Sequence, residues 1–228
     1  MNTIYRRAFF LLLMFIVPLL GYSQLNKYAE TDFTLGNRCI EKYYETDSLS
    51  YVYRAISYWD SCITKNENIP EANISKCIWL CELKMYEEAE QVLESVPDSV
   101  IVHTFGDTYK YATNKLFKIM QNVENRHISD AISNAKEAFD FLEAYMYEHK
   151  IEVLEYIKAY KLKEHSKYNY FSFLTQYVYF YSLVNNPLMA RVKLMEFYDN
   201  MNGEMSEELY LYLKSVLNHD ITHFNGLI

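Results

Sequence analysis

Residues 70–89 read PEANISKCIWLCELKMYEEA, and where this stretch starts, stops and restarts decides the fold. Pro70 suits a first helical turn, because its missing N–H would have no intrahelical partner there. A helix over about 71–83 comes next, and a second over 86–96 is closed by Pro97. The unit is two short helices with a tight turn between them. Upstream, Thr31 or Asp32 can cap a helix running to about Glu45, with Leu35, Cys39, Ile40 and Tyr43 on one face. A polar turn at 46–50 offers Ser48 or Ser50 as the next cap. The helix beyond it presents Val52, Ala55, Ile56, Trp59, Cys62 and Ile63 at three- and four-residue steps, a core stripe.

Downstream, Asp98 and Ser99 can cap the segment after Pro97. From about 128 to 165, Phe139, Leu142, Met146, Val153, Ile157 and Tyr160 keep helical spacing with no stop signal. One helix of that length would span roughly 55 Å. A tight corner near His149 and Lys150 is more economical. Later helices are expected over about 168–184, 188–201 and 207–217, the last capped by Ser206 after an Asn202-Gly203 break.

Composition agrees. Only five glycines and four prolines occur in 228 residues, and the 80 residues between Gly106 and Pro187 contain neither. Sandwiches and barrels spend glycine on turns, and a dinucleotide fold needs a glycine-rich loop. The chain is 50% hydrophobic, enough for a core and too much for a disordered polymer. The expected class is all-α.

Residues 1–23 read as an export signal. Arg6 and Arg7 precede thirteen apolar residues, Ala8 to Leu20, broken only by Pro18, and Gly21 and Ser23 put small residues before a cut at Gln24. The run is shorter than the roughly 20 residues a spanning helix needs. An uncleaved anchor is the alternative. The expected location is the periplasm or cell envelope, or outside the cell, with no membrane span after cleavage. Removal of two arginines and no acids leaves 20 basic and 30 acidic groups, a net charge near −10. That charge argues against nucleic acid, whose affinity comes from Lys and Arg displacing counterions, and against an anionic membrane surface.

The 70–89 stretch resembles a unit of the tetratricopeptide repeat family, which repeats 34 residues as two antiparallel helices with small residues where they approach closest. Ala55 and Ala89 stand 34 apart, each as the small residue of a second helix. Trp59 and Leu93 fill the large position after them, Cys62 and Val96 the later small one, and Cys77 the small position of a first helix. Asn73 and Lys76 replace large apolar residues of the family's pattern. The best-matching units are 36–69 and 70–97. Ile128 to Ala138 and Asn186 to Leu194 resemble further second helices out of register, within degenerate helical repeats over 98–228. The resemblance implies one repeat domain over 24–228, an antiparallel helix-pair solenoid winding as a right-handed superhelix. It also implies a peptide or partner protein bound in a groove lined by first helices. Mapped here, that face is Asn37, Ile40 and Tyr44, then Glu71, Ile74, Ile78, Cys81 and Glu82. Glu71 and Glu82 would favour a neutral, apolar or basic segment.

Catalytic motifs are absent: no Gly-x-Ser-x-Gly elbow, phosphate-cradling loop, His-Glu-x-x-His helix or dinucleotide fingerprint. No cofactor is implied and no metal is expected; His219 and His223 lie four apart with Asp220 nearby, but a metal needs three or four ligands and a solvated polar tail is the ordinary reading. An enzyme would require His103, His149 and His165 to meet one another or an acidic pair. Cys39, Cys62, Cys77 and Cys81 read as core thiols, with a Cys62–Cys77 bridge as the alternative. Tyrosine is the unusual residue, at 23 copies. On the expected 168–184 helix, Tyr170, Phe173, Tyr177 and Tyr181 form one stripe, read as core, with Phe171, Val178 and Tyr179 pointing elsewhere. A small-molecule or glycan binder using these later helices is the rival to a protein-interaction module.

Overall fold

The computed structural model describes residues 31–161, 169–185, 187–201 and 203–224, which are all-helical with no strand among them. The stretch 1–23, expected to be an export signal, lies outside the described residues. Among the described residues eleven helices fall into two compact units, one ending at Pro97 and the other starting at Asp98.

The first unit holds α1 (Asp32–Thr46), α2 (Leu49–Thr64), α3 (Ile69–Glu82) and α4 (Tyr86–Ser95). Thr31 caps α1, its hydroxyl accepting the Thr34 N–H at 3.2 Å. Asp47 ends α1 in the left-handed conformation, φ 59°, and turns the chain back within two residues. The return is antiparallel, because Asp32 at the start of α1 meets the end of α2. Its Oδ2 accepts from Ser61 Oγ and from Lys65 Nζ, each at 2.6 Å. The Lys65 bond, then the Ser61 bond, hold the Asp32 carboxyl below its ordinary range. Between these ends Gly36 faces the Trp59 indole so closely that a Cβ there would lie 2.5 Å from Nε1.

The helix α3 is buried on every side, Ala72 to Ser75 and Cys77 to Cys81 all included. Apolar residues all round a helix are what an internal position requires. Its two misfit polar residues are accommodated locally. Asn73 donates to the Ile69 carbonyl at 2.9 Å, and Lys76 reaches Asp60 of α2 at 2.6 Å. A left-handed Lys84, φ 62°, turns the chain into α4. There the Cys77 thiol donates to the Ala89 carbonyl at 3.1 Å, so α3 and α4 meet at two small residues.

The second unit holds α5 (Asp98–Phe105), α6 (Tyr109–Glu124), α7 (Ile128–Glu148), α8 (Lys150–Lys161), α9 (Asn169–Val184), α10 (Pro187–Asn200) and α11 (Glu207–Phe224). A helix break stands where the corner near His149 was expected: His149 ends α7 and Lys150 begins α8. The unmarked 98–127 stretch divides at Gly106, whose φ of 94° admits a turn that side chains resist. Ser206 caps α11, accepting from the Leu209 N–H at 3.1 Å. The helix α6 runs against α7, with Lys115 reaching Asn134 at 3.2 Å and pairing with Glu137, and with Tyr111 and Phe141 ring to ring at 4.4 Å. Ala131, Ala135, Ala138 and Leu142 form the buried seam of α7.

The helix α9 is the hub of this unit, packing on α5, α6, α7, α10 and α11. That changes the reading of its aromatics. Phe171, Phe173, Tyr179 and Phe180 are buried, whereas Tyr170, Tyr177 and Tyr181 are only half-buried. A helix with neighbours on several sides buries more than one face, so the tyrosine stripe is the outer edge of the core and not its centre. Gln176 ties α9 to the start of α6. It accepts from the Thr108 hydroxyl at 3.2 Å and donates to the Tyr109 carbonyl at 3.3 Å.

Candidate protein-interaction site

The eight residues expected to line a groove fall on α1 and α3 in matching positions. Asn37, Ile40 and Tyr44 precede Glu71, Ile74 and Ile78 by 34 residues each. The structure brings these helices together through rings. The Trp79 ring of α3 lies 5.4 Å from Tyr43, edge to face, and 6.1 Å from Tyr44; the two tyrosines are 5.7 Å apart. Aromatic pairs at such separations contribute beyond their buried area. The first helices of the two pairs are therefore neighbours.

The eight residues do not share one degree of access. Ile40, Ile74, Ile78 and Cys81 are at most 3% exposed and serve as packing. The physical reason is the all-round apolar surface of α3. Asn37, Tyr44, Glu71 and Glu82 keep partial exposure and make the accessible rim. Sequence reasoning missed Trp79, which joins the two halves. Its signal was present, since Tyr43 and Tyr44 precede it by one 34-residue step and one or two residues more.

All four cysteines are buried free thiols. Burial pushes the Cys77 and Cys81 thiols far up, and the Glu82 carboxylate adds to the effect at Cys81. They are held as neutral, poorly nucleophilic thiols. Of the histidines, His103 is exposed, and His149 packs on Tyr145 with ring centres 4.2 Å apart. His165 and the side chains of His219 and His223 lie outside the described part of the molecule. Among the described residues no three of His, Cys, Asp and Glu gather as metal ligands, and no helix is long and apolar enough to cross a membrane.

No protein-family model matches the chain, no curated protein matches it, and no solved structure matches it. Its two N-terminal helix pairs, bridged by Trp79, are the feature from which a function is read.

Proposed function

We propose that the chain is an exported, non-enzymatic module that binds a peptide or partner protein on the face of α1 and α3, within a tetratricopeptide-like array of helix pairs. The observation that carries this reading is the burial pattern at 34-residue intervals. Ala55 and Ala89 are both 0% exposed, Trp59 and Leu93 are 1% and 0%, and Cys62 and Val96 are 0% and 1%. Three pairs of sequence-equivalent positions thus do equivalent packing work in successive second helices, which supports a repeat over chance amphipathicity. The same pattern recurs faintly in α7, where Ala131 and Ala138 are buried seven apart as Ala55 and Cys62 are. The approach of Tyr43 and Tyr44 to Trp79 further supports first helices that meet through their aromatic side chains.

The partially exposed Glu71 and Glu82 give the rim a negative character that suits a basic or neutral segment. The rival small-molecule reading needs rings around an open pocket; Phe171, Phe173, Tyr179 and Phe180 are instead interior. The test is capture from a cell-envelope fraction with the wild-type chain and with Glu71→Lys/Glu82→Lys. Loss of specific partners from the double variant, with helicity retained, is the expected result. Recovery of the same proteins by both would overturn the assignment of this face.

A further inference from the structure

The helix α10 packs on α9 and α11, with Ala190 and Leu194 buried. A surface helix ordinarily sets polar residues opposite its core face. Here Leu188, Val192 and Met195 follow at four- and three-residue steps along the opposite side, with Met189 at its edge. All four are between 41% and 65% exposed. The charges of α10 are ordered as well. Arg191 and Lys193 lie in the first half of this 14-residue helix, Glu196 and Asp199 in the second, and all four are exposed. That order is unfavourable for a lone helix, whose N-terminus is partially positive and whose C-terminus is partially negative. Lys193 meets Glu196 at 3.6 Å, but with both side chains more than half exposed the pair contributes little.

We propose that the outward face of α10 is a homodimer interface, in which it pairs antiparallel with α10 of a second copy about a two-fold axis. Antiparallel pairing lays the basic half of each helix beside the acidic half and the C-terminal end of the other. The charge order that disfavours a lone helix is then favourable twice over. A parallel pair would set like charges side by side. A uniformly basic or acidic partner would match one half of the face; this chain's own sequence matches both. Seating Val192 against Met195 of the second copy repeats that apolar contact across the axis. In this register Lys193 and Glu196 of opposite copies stand about 3 Å apart along the axis, and Arg191 and Asp199 about 4.5 Å. Both offsets are within reach of these side chains. The helix is about 21 Å long. Its face is smaller than the roughly 800 Å² per side of a standard interface, so the dimer is weak and concentration-dependent. The interface lies on the second unit and does not draw on the α1–α3 reading.

The test follows the molar mass of the full chain by sedimentation equilibrium from about 5 to about 500 μM. The mass is expected to climb from that of one chain toward that of two. Arg191→Glu/Lys193→Glu and Glu196→Lys/Asp199→Lys should each weaken pairing at least about tenfold. Mixed one to one, the two variants should pair again, because each offers the charge the other lacks. Each variant also adds charge of the sign that its helix end favours, so helicity should be retained, and its retention separates lost pairing from lost folding. On the unmutated chain, the Val192 and Met195 methyl resonances should shift over the same concentration range. A single-chain mass throughout would overturn the proposal, whether Ala8 to Leu20 of the same chain or a different protein covers the face. So would unshifted methyl resonances, association that survives both double variants, or a one-to-one mixture that stays unpaired.

Discussion

Gly36 and Trp59 divide one space between them: the indole edge lies where any side chain at position 36 would begin. The indole N–H, buried there, has no hydrogen-bond partner among the described residues, so the pair is held by packing. Gly36→Ala sets a methyl 2.5 Å from Nε1 and must push the ring or the helix aside. Such overpacking costs about 1–3 kcal/mol, read as a lower urea midpoint with unchanged slope. In a Trp59→Phe background the smaller ring leaves room, and the same substitution should cost less. An additive cost in both backgrounds would mean the strain is not at this contact. At this scale Trp59 was legible as core, because it lies on a periodic stripe with Val52, Ala55 and Cys62. The role of Gly36 was not, since it depends on a ring 23 residues away meeting it across two helices.

The elements were legible wherever caps and breakers mark them. Thr31, Pro70, Pro97 and Ser206 stand within a residue or two of the observed helix ends, because each acts on backbone groups of its own turn. The tyrosine stripe of α9 was misjudged for the opposite reason: its burial depends on five neighbouring helices, which local periodicity does not encode. Gln176 depends on neighbours in the same way. It gives the buried Thr108 hydroxyl an acceptor and the Tyr109 carbonyl a donor at the first turn of α6. Replacing it with leucine leaves both without that partner. Gln176→Leu is expected to destabilise the second unit by about 1–3 kcal/mol. Amide exchange should rise most at the first turn of α6, and uniform protection loss instead would argue for global packing damage.

On the scale of the molecule, the tyrosine-rich core sets an alkaline limit. Burial, with the Glu143 and Tyr181 charges adding to it, raises Tyr177 from its ordinary 10.0 to about 12. Tyr145, Tyr160 and Tyr170 are raised as well, burial again the main cause. A raised value means that the folded chain holds the proton more tightly than the unfolded chain. This stability is intact below pH 10 and is lost as pH climbs through about 12. Absorbance at the tyrosinate band should rise cooperatively with loss of helical signal across that window, and Tyr177→Phe should move the midpoint upward. Helical signal that survives well past about pH 12 would contradict it. The acidic surplus was plain from composition alone. How the helices beyond Pro97 pack around α9 was not, because the 34-residue spacing of small residues does not continue there.

The four sealed thiols give the first unit a one-way exit. While it is folded, Cys39, Cys62, Cys77 and Cys81 are all covered. Each opening of α1 to α4 bares cysteines whose chemistry is no longer held back by burial. In an oxidising medium a bared pair can be trapped in a bridge the native packing does not accommodate, and that copy does not return. Endurance there is then a half-life set by how often the helices open, and two variants of equal equilibrium stability can differ widely in how long they last.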